Sequence, residues 1–106
     1  MARLPDFMIL GTAKAGTDAL ARNLSRHPEV TVGPKNPHPV HGPEWHHFFR
    51  DEVLDHGIGW YADLFASEKP ILGDKGTVYL GYVECHARLA TMLHNAKFIV
   101  CLRRAR

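Results

Sequence analysis

The 106-residue sequence has few of the features that mark membrane, secreted or nucleic-acid-binding proteins. No apolar run approaches the roughly 18–20 residues of a membrane span, and no signal-peptide pattern opens the chain. Its two cysteines, Cys85 and Cys101, are too few and too far apart for a disulfide framework or a zinc ribbon. The net charge of +2 is too small to predict binding to nucleic acid or a membrane surface. These absences favour a reducing, cytoplasmic setting.

Short apolar runs alternate with helical patterns along the chain. The apolar runs predict strands at Phe7–Leu10, Val30–Val32, Pro70–Gly73 and Lys97–Leu102. Apolar residues at helical spacing predict helices at Thr17–Arg26, Trp60–Ala66 and Gly81–His94. The four prolines and two glycines of residues 33–43 predict a long loop instead. Strands that alternate with helices predict an α/β fold with a parallel sheet.

A glycine loop follows the first predicted strand and leads directly into the first predicted helix. Gly11 and Gly16 allow a sharp turn and the close approach of a phosphate. Free N–H groups and the helix dipole make the start of such a helix a site for an anion. Strand, loop and helix together therefore predict a phosphate-binding site.

The position of the loop's lysine distinguishes two classes of phosphate site. Gly11 and Gly16 have the spacing of the Walker A pattern G-x-x-x-x-G-K-[ST]. Thr17 and Asp18, however, occupy the positions of its lysine and its Ser/Thr. Lys14 is the only lysine of this loop, and it lies two residues before the second glycine. There it should reach a group closer to the loop than a γ-phosphate, such as the bridging oxygen of a phosphosulfate.

Six segments resemble, in order, the sulfotransferases that use 3′-phosphoadenylyl sulfate, above all the heparan-sulfate type and its bacterial relatives. Pro5–Thr17 is similar to the family's opening P-D-F-x-I-[IL]-G-x-x-K-x-G-T. The other similar segments are His27–Val30, His47–Phe49, Trp60–Phe65, Gly73–Leu80 and Ala96–Arg103. The resemblance implies a three-layer, P-loop-like fold, truncated here after about four strands. Residues 1–106 would then be the N-terminal part of a single sulfotransferase domain.

The resemblance also implies a donor site for 3′-phosphoadenylyl sulfate. Lys14 would neutralise the charge that develops on the departing phosphate during sulfuryl transfer. Arg103 would bind the 3′-phosphate, which distinguishes this donor from ATP. No metal is required. The 5′-phosphate would be held by the backbone amides of Ala15, Gly16, Thr17 and Asp18.

On the acceptor side, Glu44 and His47 are the two candidates for the base that takes a proton from a hydroxyl or amine. Lys75 is carried over from the resemblance as a contact to the acceptor or to the sulfate. The implied partner is a sulfate acceptor, either a glycan or a small molecule. A metal site is not predicted, because the spacing of four histidines matches no ligand pattern: His38, His41, His46 and His47.

Departures from the family pattern leave two other functions open. Asp18 stands where heparan-type members often have arginine, and Trp45 stands at a carboxylate position, with Glu44 one residue early. A P-loop kinase or NTPase is the second hypothesis, although its Walker B candidate, Asp74, follows only a short apolar run. A truncated remnant without catalytic activity is the third.

Overall fold

The computed structural model describes residues 3–11, 16–34, 49, 54–65, 68–76 and 79–102. These residues include four strands, three α-helices and one short 3₁₀ helix. The strands are β1 Phe7–Gly11, β2 Val30–Val32, β3 Ile71–Gly76 and β4 Lys97–Cys101. The helices are α1 Thr17–Ser25, α2 Ile58–Asp63 and α3 Val83–Met92, with the 3₁₀ helix at Tyr79–Gly81.

The four strands form one parallel sheet in the order β2-β3-β1-β4. Strand β1 lies in the interior of this sheet, with Ile9 opposite Lys75 of β3 and Ile99 of β4. Parallel strands need crossover connections, which α1 and α3 supply. The predicted α/β fold with a parallel sheet is therefore confirmed.

The strand order fixes the layers around the sheet. The connection through α1 leads from β1 past β3 to β2, whereas the connection through α3 leads from β3 past β1 to β4. These crossovers run in opposite directions, and parallel crossovers are almost always right-handed. We therefore place α1 and α3 on opposite faces of the sheet. The carboxyl ends of β1 and β3 lie side by side where the two connections diverge, the usual ligand site of such sheets.

One aromatic and aliphatic cluster forms the core. Phe49 packs edge-on against Tyr61 and Tyr79, with ring centroids 5.1 and 5.3 Å apart. All three rings are buried, and such edge-to-face pairs add stability beyond their buried area. The other buried members of the cluster are Met8, Leu10, Phe65, Leu72, Cys85, Leu89 and Leu93.

Three predicted elements differ from the structure by two residues or more at an end, among them α3, which spans Val83–Met92 and not the predicted Gly81–His94. Strand β3 continues to Gly76, three residues beyond the predicted end at Gly73, because Asp74 and Lys75 pair with β1. Helix α2 begins at Ile58, two residues before the predicted start at Trp60. An apolar run predicted this strand, and the run ends where the polar residues Asp74 and Lys75 begin, so the predicted strand was too short.

Candidate functional site

Gly11 ends β1 where there is no room for a side chain. A Cβ atom at this position would lie 2.5 Å from the carbonyl oxygen of Cys101 and 3.0 Å from the methyl group of Thr17. Any other residue would push β4 or the start of α1 away from β1. The glycine thus lets helix and strand approach closely at the end of the strand, which positions the start of α1.

Gly16 is required for a different reason, since its backbone is left-handed with φ 89° and ψ 12°. A Cβ there would meet nothing within 4 Å, so conformation rather than space selects glycine. Gly16 is the N-cap of α1, and its carbonyl accepts the first helical hydrogen bond from Leu20 N–H at 3.0 Å. The N–H groups of the first turn, including those of Thr17 and Asp18, have no acceptor inside the helix. They are suited to bind an anion.

The carboxyl end of β3, beside that of β1, holds a fully buried carboxylate. Asp74 Oδ2 accepts a hydrogen bond of 2.7 Å from the Tyr61 hydroxyl, and Asp74 Oδ1 accepts one of 2.8 Å from the Lys75 backbone N–H. A carboxylate can be buried only when such donors replace the water it loses. Asp74 therefore ties α2 to the end of β3 at the residue before Lys75.

The environment of Tyr61 opposes its ionisation. Burial raises the pKa of the Tyr61 phenol well above its ordinary value, and the neighbouring Asp74 carboxylate raises it further. A phenol held protonated in this way is a permanent hydrogen-bond donor over the ordinary pH range. Tyr61 is thus suited to hold Asp74 in place and not to act as a general base.

Lys75 follows Asp74 and is only 5 % exposed. Among the described residues it lines a cavity of about 500 Å³ together with Arg22 of α1 and Arg26, which caps the end of that helix. The other lining residues that the structure describes come from α1 and from the end of β2. A lysine buried at the carboxyl edge of the sheet can offer its charge to a bound anion.

The described residues include only some of the predicted site. Gly16, Thr17 and Asp18 lie at the start of α1, with Thr17 buried, and Lys75 lies at the end of β3. The structure brings the start of α1 and the end of β3 to the same edge of the sheet, because β1 and β3 are neighbours. The predicted residues that lie outside the described part are Lys14, Ala15, Glu44, His47 and Arg103.

Sequence reasoning missed the pair formed by Tyr61 and Asp74. It included Tyr61 only as part of the predicted helix Trp60–Ala66 and treated Asp74 only as a Walker B candidate. The two residues are 13 positions apart, one in a predicted helix and the other just past a predicted strand, so no local pattern joins them. The available signal was a single carboxylate beside a lysine at the end of a predicted buried strand. Such a carboxylate needs a donor from elsewhere in the core.

Comparison with known proteins shows which class of protein this chain resembles. No family model matches the chain. It is 33% identical over 103 residues to human heparan sulfate glucosamine 3-O-sulfotransferase 3B1, covering 95% of this chain and 24% of that protein. It is 30% identical over 99 residues to the bifunctional heparan sulfate N-deacetylase/N-sulfotransferase 1 of Caenorhabditis briggsae, covering 93% of this chain and 11% of that protein. The membrane-associated sulfotransferase kil1 of Dictyostelium discoideum is 30% identical over 105 residues, 94% of this chain and 20% of that protein.

The fold gives the same result as the sequence comparisons. A crystal structure of a sulfotransferase from Alicyclobacillus acidocaldarius superposes with a TM-score of 0.69 and 28% identity, covering 92% of this chain and 44% of that one. The predicted resemblance to the sulfotransferases is therefore confirmed, in sequence and in fold, over more than nine-tenths of this chain. The chain spans less than a quarter of the length of these curated relatives and under half of the bacterial protein.

Proposed function

We propose that this chain forms the donor-binding part of a sulfotransferase that uses 3′-phosphoadenylyl sulfate. The reaction would transfer a sulfuryl group from this donor to a hydroxyl or amine of an acceptor, a glycan or a small molecule. The observation that carries the proposal is the likeness to the bacterial sulfotransferase, which extends over 92% of the chain. Two of the curated relatives are named for heparan sulfate, which supports a glycan acceptor here.

The geometry at the start of α1 supports binding of the donor's 5′-phosphate. The left-handed Gly16 turns the chain into the helix, and the first-turn N–H groups remain available for phosphate oxygens. Lys14 belongs to the same short loop and would stabilise the negative charge on the departing phosphate oxygen. Arg103 would bind the 3′-phosphate. It follows β4 in the sequence, and β4 pairs with β1 on the side away from β3.

The packing of Phe49 supports an acceptor site beside β3. Phe49 contacts Tyr61, whose hydroxyl binds Asp74 next to Lys75. His47 and Glu44 precede Phe49 by two and five residues in the sequence and lie outside the described residues. Glu44 or His47 would then act as the base that removes the acceptor's proton.

The kinase or NTPase hypothesis is disfavoured by the surroundings of Asp74. A Walker B carboxylate must offer an oxygen to Mg²⁺ or to its water. Here Asp74 is fully buried, and each of its oxygens already accepts a hydrogen bond, one from Tyr61 and one from the Lys75 backbone. The relatives named above are sulfotransferases, which also favours sulfuryl transfer over the kinase or NTPase hypothesis.

A calorimetric titration tests the donor. Adenosine 3′,5′-bisphosphate, the product left by the donor, should bind the chain without magnesium, whereas ATP with Mg²⁺ should not compete for the site. Binding of ATP–Mg²⁺ in preference to the bisphosphate would favour the kinase hypothesis. A folded chain that binds neither nucleotide would favour the remnant without activity.

The Lys14→Ala substitution tests the chemistry. Transfer of labelled sulfate from the donor should fall at least about 100-fold, the size of effect seen when one group that stabilises transition-state charge is removed. Lys97→Ala, which removes an exposed lysine at the start of β4, is the matched control and should leave transfer unchanged. Equal rates for the Lys14 variant and the unchanged chain would rule out the role assigned to Lys14.

A further inference from the structure

Strand β3 loses the pairing with β2 just before Lys75. The two strands pair only as far as Val32 and Gly73, and the N–H of Gly33 then donates to the Gly73 carbonyl at 2.8 Å. Successive peptide groups of a strand point to its two edges in turn. The N–H of Lys75 therefore points to the same edge as the Gly73 carbonyl, at a level that β2 does not reach.

The Asp74 side chain supplies the acceptor at this level. Its Oδ1 atom accepts a hydrogen bond of 2.8 Å from the Lys75 N–H, so a carboxylate oxygen stands in for the carbonyl of a neighbouring strand. A peptide group is planar, so fixing the direction of its N–H limits the backbone conformation at Lys75. Asp74 thus helps β3 to stay extended as far as Gly76.

The side chains of Asp74 and Lys75 lie on opposite faces of the sheet, as those of successive strand residues do. On one face, Asp74 Oδ2 accepts a hydrogen bond of 2.7 Å from the hydroxyl of Tyr61, a member of the core cluster. On the other face, Lys75 is buried and lines the cavity beside α1. One peptide group therefore links a contact in the core to a buried cation across the sheet.

We infer that Tyr61 and Asp74 are positioning residues for Lys75. This role rests on the proposed sulfotransferase function, in which Lys75 contacts the sulfate or the acceptor. Tyr61 and Asp74 are both fully buried, so they act through Lys75 and do not touch a substrate themselves. Lysine needs such support, because its flexible four-carbon stem does not by itself fix the place of the ammonium group.

A double-mutant cycle of sulfate transfer tests the inference. Tyr61→Phe and Lys75→Met are measured singly and together, with labelled donor and a heparan sulfate oligosaccharide as acceptor. Tyr61→Phe should lower kcat or kcat/KM about 5-fold, in whichever of the two Lys75→Met lowers, and less than about 2-fold when Lys75→Met is already present. Equal losses with and without Lys75→Met would overturn the inference, since Tyr61 would then act independently of Lys75.

Labelling of lysines with acetic anhydride gives a second readout, which does not require transfer. Peptide mass spectrometry measures the labelling of Lys75 relative to Lys97, an exposed lysine of the same sheet. Tyr61→Phe should raise this ratio about 3-fold or more, because the carboxylate that holds the Lys75 N–H loses its own donor. Asp74→Asn should raise it less, since an amide can accept from the Lys75 N–H and donate to the Tyr61 oxygen.

Leu72→Ala separates positioning from a general loss of stability. It creates a cavity in the same strand and the same core cluster, but Leu72 is a partner in neither hydrogen bond of Asp74. Labelling is measured where circular dichroism shows each variant folded, and Leu72→Ala should change the ratio less than about 2-fold.

Two results of the labelling would overturn the inference. One is a ratio that rises as much in Leu72→Ala as in Tyr61→Phe, and the other is a ratio that does not rise in Tyr61→Phe. An unchanged chain that neither binds adenosine 3′,5′-bisphosphate nor transfers sulfate would instead count against the proposed function. The labelling ratios would then decide by themselves whether Tyr61 and Asp74 position Lys75.

Discussion

Strands β3 and β4 both pair with β1, yet β3 is mostly buried and β4 is mostly exposed to solvent. Strand β3, with the sequence Ile-Leu-Gly-Asp-Lys-Gly, is buried from its second residue to its last. Strand β4, with the sequence Lys-Phe-Ile-Val-Cys, leaves Phe98, Ile99 and Val100 38–48% exposed. The more polar strand is thus in the interior, and the more apolar one lies at an edge of the described sheet.

The difference shows that a polar side chain can be buried when its hydrogen bonds are satisfied, and that an apolar side chain is not always buried. Asp74 can lie in the interior of the protein because Tyr61 and a backbone N–H replace the water it gives up. The apolar side chains of β4 have no such requirement, and their exposure costs only the hydrophobic free energy that burial would release. The stability of this chain should therefore depend on β3 far more than on β4.

The largest effect is expected when Asp74 is replaced by alanine. The change removes the hydrogen bond that Asp74 accepts from the Tyr61 hydroxyl and the one that it accepts from the Lys75 N–H, at about 1–3 kcal/mol for each buried donor. We expect the free energy of unfolding in urea to fall by about 2–6 kcal/mol. Asp63→Ala, at an exposed carboxylate on α2, is the control and should change it by less than about 0.5 kcal/mol. Similar values for the two variants would show that burial of Asp74 has no structural role.

The apolar part of β3 should follow closely. Leu72 is fully buried, so Leu72→Ala should lower the free energy of unfolding by about 2–5 kcal/mol through the cavity that it leaves. Ile71 precedes it on the same strand with 39% of its surface exposed, and Ile71→Ala should cost clearly less. Urea denaturation of the pair measures the contrast between the two faces of one strand. A larger loss at Ile71 would contradict the burial of β3.

Tyr61→Phe should have a smaller effect that depends on pH. It removes one donor from the Asp74 carboxylate and should cost about 1–3 kcal/mol at neutral pH. The pKa of Tyr61 is raised in the folded state, so the unfolded chain releases the phenolic proton first, near pH 10. Stability of the unchanged protein must then fall as pH rises above about 10, and the difference from Tyr61→Phe should shrink there. A difference that stays constant between pH 8 and 11 would argue against the raised pKa.

Changes in β4 should have the smallest effects. Val100 is 48% exposed, so Val100→Ala should cost less than about 1 kcal/mol in the same urea measurement. Its effect should be several-fold below that of Leu72→Ala on the other neighbour of β1. A cost above about 2 kcal/mol would mean that β4 is buried in solution, and the contrast between the two strands would then disappear.

Local sequence alone determined much of the first half of the site. The apolar run at Phe7 and the helical pattern from Thr17 predicted β1 and α1 to within about one residue. These features could be predicted because each depends on neighbours along the chain. The free N–H groups at the helix start, which are suited to an anion, belong to the same few residues.

Tertiary structure alone decided what surrounds β3. The sequence did not indicate that β3 lies beside β1, that Tyr61 reaches Asp74, or that Arg22 and Arg26 share a cavity with Lys75. Each of these contacts joins residues that are distant along the chain, and their geometry follows from strand order and helix packing. A buried carboxylate and a group of cations acquire meaning only from the groups that they face. The sequence by itself thus determined β1 and the start of α1, and the fold determined what lies beside them at β3.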